Sequence, residues 1–115
     1  MNLPNAHLAI VDREKITQYL LNAVHPDNGG KAEFFEGLGF TREPWPVFAK
    51  ALRLVASSFP ISNTMESAHG IKYIVDGNIE GPEGKRATVR TIWIIDKGQD
   101  KPRLVTAYPR QEARA

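Results

Sequence analysis

Through the first sixty residues apolar side chains recur every three or four positions, and beyond residue 70 they alternate. That change of period predicts helices followed by strands. Asp12 is suited to cap a first helix that carries Ile16, Tyr19 and Leu20 and ends near Asn22. The run His25-Pro26-Asp27-Asn28-Gly29-Gly30 is dense in turn formers. A second, short helix is expected from about Lys31 to Leu38, with Ala32, Phe35 and Leu38 on one side, Phe34 beside them and Gly39 at the C′ position. A third starts near Pro44 and shows the stripe Trp45, Phe48, Ala49, Leu52, Val55, Ala56 and Phe59, with Pro60 ending it.

Ser57 to His69 is polar and irregular and reads as a mobile loop. Gly70 to Ile79 alternates around Ile71, Tyr73 and Val75, and Gly81-Pro82-Glu83-Gly84 is a turn signal. Lys85 to Asp96 is the longest strand, with Val89, Thr91, Trp93 and Ile95 on one face. Ile92 and Ile94 make its other face apolar too, which calls for cover from the loop, from Trp45 or from a partner chain. After a turn over Lys97 to Lys101, a last strand runs from Pro102 to Pro109. Simple alternation puts Leu104, Thr106 and Tyr108 on one side and Arg103, Val105 and Ala107 on the other. The links are short, so the expected fold is α+β: about three N-terminal helices packed on a C-terminal antiparallel β-meander. Residues 1–109 form one domain on this reading, and residues 110–115 a disordered tail.

A chain of 115 residues with 42% hydrophobic and 24% charged side chains fits one core and a solvated surface. No segment has the apolar length to span a bilayer. Met1 to Asn5 lacks a basic stretch followed by an apolar run, so no secretory signal is expected and the cytoplasm is the expected location. The absence of cysteine excludes disulfides and thiolate metal sites. A net charge of +2 permits contact with nucleic acid without demanding it.

Candidate chemistry lies at two places. His25 sits in the inter-helix loop six residues before Lys31; a histidine suits proton transfer near neutrality, and a lysine neutralises phosphate. Gly29 and Gly30 let backbone N–H groups approach an anion. On spacing alone, local packing of His25 and a solvated Lys31 is the stronger alternative. The last strand places the hydroxyls of Thr106 and Tyr108 two residues apart, near Arg103; such a cluster suits phosphate binding or proton transfer, and it also suits an ordinary strand end. Lys72, Arg90 and Arg103 lie on three adjacent strands and are candidates for a basic stripe that takes a phosphate backbone, diluted by Asp76 and Glu80, which read as solvated. His7, at a frayed start, and His69, at a strand entry, read as surface histidines. The histidines lack zinc-type spacing and no acidic cluster suits magnesium, so no metal and no cofactor is expected. Gly81 to Lys85 lacks the P-loop spacing, and Ser57 and Ser58 form no nucleophile elbow.

An ordered set of words adds a resemblance. Leu3-Pro4-Asn5-Ala6, Tyr19-Leu20-Leu21-Asn22 with His25-Pro26, Lys31-Ala32 with Phe34-Phe35, Gly70-Ile71-Lys72-Tyr73, Gly81-Pro82, Thr91-Ile92-Trp93-Ile94 and Pro102 to Pro109 together resemble a family of small bacterial domains of unknown function. Members of that family stand beside another small open reading frame or form the C-terminal part of larger toxin-like proteins. The family in turn resembles the barnase–EndoU–colicin–RelE group of metal-free ribonuclease toxins, through the helices-then-meander order and the ending Thr106-Ala107-Tyr108-Pro109. The resemblance implies an endoribonuclease with Thr106 in the active site and His25 as its histidine. EndoU-type toxins use two histidines, and this chain supplies one in a fitting place. RNA and a small protein encoded by an adjacent gene are the implied partners, with no membrane. The other expectation is a non-enzymatic protein-binding module, such as the neutralising member of a two-gene toxin–antitoxin pair.

Overall fold

The computed structural model describes residues 1–110. Its helical half comprises a 3₁₀ turn at Ala6–Leu8, a π-helical segment at Lys15–Leu20, and helices α1 (Lys31–Gly37) and α2 (Trp45–Ser58). Strands β1 (Ile61–Ser67), β2 (Gly70–Glu80), β3 (Arg86–Asp96) and β4 (Arg103–Pro109) follow as one antiparallel sheet in chain order. The fold is therefore α+β with an antiparallel meander, as the periodicity implies.

The apolar stripe of α2 explains its docking. Phe48, Ala49, Leu52, Val55 and Ala56 are all buried, and they meet Tyr73, Val75 and Ile79 of β2 and Val89 and Trp93 of β3 in one core. Gly77 lets the end of α2 come close, because a Cβ there would lie 2.3 Å from the Phe59 ring. Phe48 stacks on Phe40 and tilts against Phe35, with ring centroids 4.5 Å and 4.7 Å apart. Thr91 is wholly buried yet satisfied: its hydroxyl donates to the Val75 carbonyl at 2.9 Å and accepts from the Trp93 indole N–H at 2.8 Å.

The helical half and the first strand depart from sequence expectation. The stretch expected to be a mobile loop, Ser57 to His69, instead extends α2 to Ser58 and then forms β1. Beyond Ile61 every β1 residue is exposed, so this edge strand is held by its ladder to β2 and carries no alternating apolar pattern to read. The N-terminal region is tied down rather than frayed. Leu3, Ala9 and Val11 are buried, the Ile61 N–H donates to the Met1 carbonyl, and Ile10 forms a parallel bridge with Arg103 at the start of β4. The first helix winds with π geometry, shown by the Leu21 N–H bonding the Ile16 carbonyl at 2.9 Å.

The second face of the sheet is apolar as expected. Ile74 and Ile94 are buried outside the helix-side core, and Ile92 is half-buried between Ile74 and Thr106 in the ladder. Trp45 packs on the helix-side core, so it is not the cover. Of the expected tail, Arg110 is bound to the sheet, its N–H donating to the Thr88 carbonyl at 3.0 Å; residues 111–115 lie outside the described residues.

Candidate functional site

The site begins with the turn between the π segment and α1. Three successive tight bonds wind it: His25 N–H to Asn22, Asn28 N–H to His25, and Lys31 N–H to Asn28. Gly29 and Gly30 take φ values of 58° and 88°, a left-handed path that glycine adopts without strain. Asn28 locks the turn. It is 2% exposed, its amide donates to the carbonyls of Tyr19 (2.7 Å) and Leu20 (3.2 Å), and its Oδ1 accepts the Ala32 N–H at 2.9 Å. One side chain thus satisfies carbonyls at the end of the π segment and an N–H at the start of α1.

This lock sets His25 and Lys31 around Tyr19. The His25 ring meets the Tyr19 ring edge-on at 5.0 Å, and the Lys31 ammonium lies 5.6 Å from the Tyr19 centroid, with Lys15 at 5.4 Å. The Tyr19 hydroxyl is 2.8 Å from Thr106 Oγ1 on β4. Lys31 donates to the carbonyls of Asp27 and Asn28, each at 3.1 Å. His25 Nδ1 accepts the Asp27 N–H at 3.0 Å, which assigns the proton of the neutral ring to Nε2. A cleft of about 360 Å³ opens here between Asp12, Lys15, Tyr19, His25 and Arg103. Arg103 is held by Asp96 in a two-bond fork at 2.7 Å and 3.0 Å, which raises the Arg103 pKa and lowers that of Asp96.

Tyr19 thus touches His25, Lys31 and Thr106, and Arg103 lines the cleft with Tyr19 and His25, whereas Lys31 and Thr106 are not among its lining residues. Tyr19 was read from sequence as part of a helix stripe. Its role was invisible there, because its hydroxyl partner lies 87 residues away. A β-bulge corrects the expected faces of β4. Val105 has no ladder partner, so Leu104 opposes Trp93 while Arg103, Thr106 and Tyr108 oppose Ile94, Ile92 and Arg90, three alternate residues of β3. Arg103 thus shares a row with Thr106 and Tyr108, and Leu104 does not.

The proposed basic stripe is less simple than its sequence. Lys72 and Arg103 flank Ile94, while Arg90 lies further along β3 and forks onto Asp76 at 2.9 Å and 3.0 Å. Asp76 is not solvated as expected, since its side chain is only 12% exposed. Burial pushes its carboxyl up, but hydrogen bonds from Arg90 and Ser62 and the charges of Arg90 and Arg110 outweigh that and hold it below its ordinary value. The hydrogen bond to Asp76 likewise raises Arg90, against the opposing effect of burial. Glu80 pairs with Arg86 at the exposed hairpin end. His7 and His69 are exposed. Among the described residues no three His, Asp or Glu side chains gather closely enough to hold a metal ion, and no helix is long and apolar enough to cross a membrane.

A family model described as a domain of unknown function, DUF6883, matches residues 2–111. The chain belongs to the DUF6883 family. None of the curated proteins matches it. Among solved structures, a chain of a contact-dependent growth inhibition toxin–immunity protein complex from Klebsiella pneumoniae 342 has a similar fold, with a TM-score of 0.73 and 18% identity over 93% of this chain and 97% of that one. At that identity the likeness establishes that this DUF6883 chain shares its fold with a member of such a complex.

Proposed function

We propose that the protein is the catalytic member of a toxin-type two-gene system, a metal-independent endoribonuclease that meets its RNA in the cytoplasm. The observation that carries this reading is the meeting of His25 and Lys31, from one turn, and Thr106, from β4, on the Tyr19 side chain, with Arg103 across the cleft from His25. The similarity of fold to a member of a toxin–immunity complex supports the two-gene context.

The reaction is attack of a ribose 2′-oxygen on the adjacent phosphorus. The 2′-O–P bond forms, the P–5′-O bond breaks, the 2′-OH proton is removed and the departing 5′-oxygen receives one. Lys31 and Arg103 offset the charge that builds on the phosphorane, and Thr106 orients its oxygens; Tyr108 sits across the ladder from Arg90, away from this group. His25 handles the protons. In its resting tautomer Nε2–H is a donor, and accepting a proton at Nδ1 requires release of the Asp27 N–H. Arg90 and Lys72 hold phosphates beyond the scissile one.

A second reading makes this chain the protein-binding member of the pair. It is supported by the similarity of fold to a member of a toxin–immunity complex, whereas Ile74 and Ile94 on the second sheet face are already buried within the chain. Gel cleavage of total RNA in EDTA separates the two. The enzymatic reading expects cleavage that His25→Ala reduces by roughly 10²–10⁴-fold with the circular dichroism unchanged, and that Thr106→Ala also impairs. RNA left intact by the wild type favours the binding module.

A further inference from the structure

Away from the Tyr19 cleft, the most organised charge on the protein lies where β4 ends. Arg90 donates from Nε to Asp76 Oδ1 and from Nη2 to Oδ2, so its fork occupies both carboxylate oxygens. Arg110 then brings a second guanidinium to Oδ2 at 3.3 Å. Two positive groups on one negative group leave one unit of positive charge over. A structural ion pair requires one arginine, and Arg90 already engages both carboxylate oxygens. Neither guanidinium is sealed in: the side chains of Arg90 and Arg110 are 31% and 44% exposed, while Asp76 beneath them is 12% exposed. A guanidinium has five N–H donors, and most of those on Arg110 are not used by Asp76. Tyr108 is Arg90's partner across the ladder. The cluster is thus a pair of arginines oriented by a half-buried carboxylate, with Tyr108 beside Arg90 in the ladder.

We propose that Arg90, Arg110 and Tyr108 form a second phosphate-binding site, separate from the Tyr19 cleft, that takes the backbone of a single-stranded RNA. Planar guanidinium forks fixed in advance match phosphate oxygens and lose little freedom on binding. The polymer follows from the placement. β4 presents Arg103, Thr106 and Tyr108 against alternate residues of β3, so one face joins the cleft to the arginine pair. From Arg103 to Tyr108 the strand covers on the order of 15 Å, more than one phosphate group spans, so a ligand that meets both ends carries consecutive phosphates. The site rests on the ribonuclease reading for the identity of this polymer, and Arg110 is its new member.

The test is fluorescence anisotropy with a labelled single-stranded 2′-O-methyl RNA, which has no free 2′-OH, so binding is read apart from cleavage. Wild type, Arg110→Ala, Arg110→Lys and Arg86→Ala are titrated across salt concentrations. Arg86 is the control: an exposed arginine of the same sheet, already paired with Glu80. Arg110→Ala is expected to bind more weakly, with the slope of log affinity against log salt reduced by about 0.7, the loss of one single-strand phosphate contact. Arg110→Lys keeps the slope but binds less tightly, and Arg86→Ala matches wild type. Equal losses for Arg110→Ala and Arg86→Ala, or no loss for Arg110→Ala, overturn the site. So does a wild type that leaves the oligonucleotide unbound, which would turn the arginine pair toward an acidic protein surface. Parallel cleavage of unmodified RNA keeps the two ideas distinct. Binding with the expected Arg110 effect but no cleavage removes the enzyme and retains the site. Cleavage without an Arg110 effect does the reverse.

Discussion

Trp93→Ala probes the packing that positions every candidate residue. Trp93 is completely buried, in the middle of β3, opposite Tyr73 on β2 and Leu104 on β4. Truncation removes an indole that shares one core with α2 and leaves a cavity that the surrounding strands cannot close, a cost of roughly 3–5 kcal/mol. It also ends the 2.8 Å bond from the indole N–H to the Thr91 hydroxyl. That hydroxyl keeps its own bond to the Val75 carbonyl, so no buried donor is stranded and the hydrogen-bond loss adds only about 1 kcal/mol. Domains of this size have about 5–15 kcal/mol of total stability, so the loss takes a large share of it. In urea, with a slope of roughly 1–3 kcal/mol per molar, the midpoint falls by about 2 M. Trp93→Phe leaves a smaller cavity and loses the same bond, so its midpoint lies between the two. Denaturation followed by far-UV circular dichroism gives all three. A Trp93→Ala midpoint within experimental error of wild type would refute the helix-side core and move the packed layer to the Ile92 and Ile94 face.

Asn28→Ala should cost roughly 2–4 kcal/mol in the same assay, because the buried Leu20 carbonyl and Ala32 N–H lose their side-chain partner while the Tyr19 carbonyl keeps the Asn22 N–H; a loss below that of an exposed control would show that the turn holds without it. Asp76 gives a pH signature. Its carboxyl lies below the ordinary value in the fold, so its ion pairs contribute stability above about pH 4, and that contribution is lost as pH falls through the depressed folded value. Asp76→Asn should therefore be less stable than wild type at pH 7, with the gap closing below about pH 4, as read by thermal melts; a gap that stays constant with pH would contradict the pairing. Tyr19→Phe keeps the ring that His25 and Lys31 contact but removes the bond to Thr106, so it should lower RNA cleavage while leaving the melting midpoint near wild type. Equal cleavage by Tyr19→Phe and wild type would remove the Thr106 bond from the mechanism.

Where burial and period coincide, the fold was legible. The stripe of α2 and the alternation of β2 and β3 are long enough that the buried residues announce themselves, from Phe48 to Trp93. β1 was not legible, because an exposed edge strand held by backbone bonds leaves no pattern in its side chains. The face of Thr106 was misread for a related reason. One unpaired residue, Val105, shifts the register, and alternation counted from Leu104 then assigns the wrong partners. In the site, His25, Lys31, Thr106 and Arg103 were chosen for their chemistry. What joins them, the Tyr19 hydroxyl and the buried Asn28 amide, depends on contacts between distant segments that no local spacing encodes. Asp76 shows the same limit: a carboxylate near a turn looks solvated until Arg90 and Arg110 are seen to cover it.

The proposed chemistry rests on attack by a ribose 2′-oxygen, directed by His25 and Thr106. The most direct measurement is cleavage in EDTA of an RNA oligonucleotide and of the same oligonucleotide with a single 2′-deoxy substitution at the cut site, with product ends identified by mass. The account predicts a 2′,3′-cyclic phosphate on the 5′ fragment of the first and no cut in the second. Cleavage of the deoxy-substituted strand, or a product with a free 3′-hydroxyl, would contradict it.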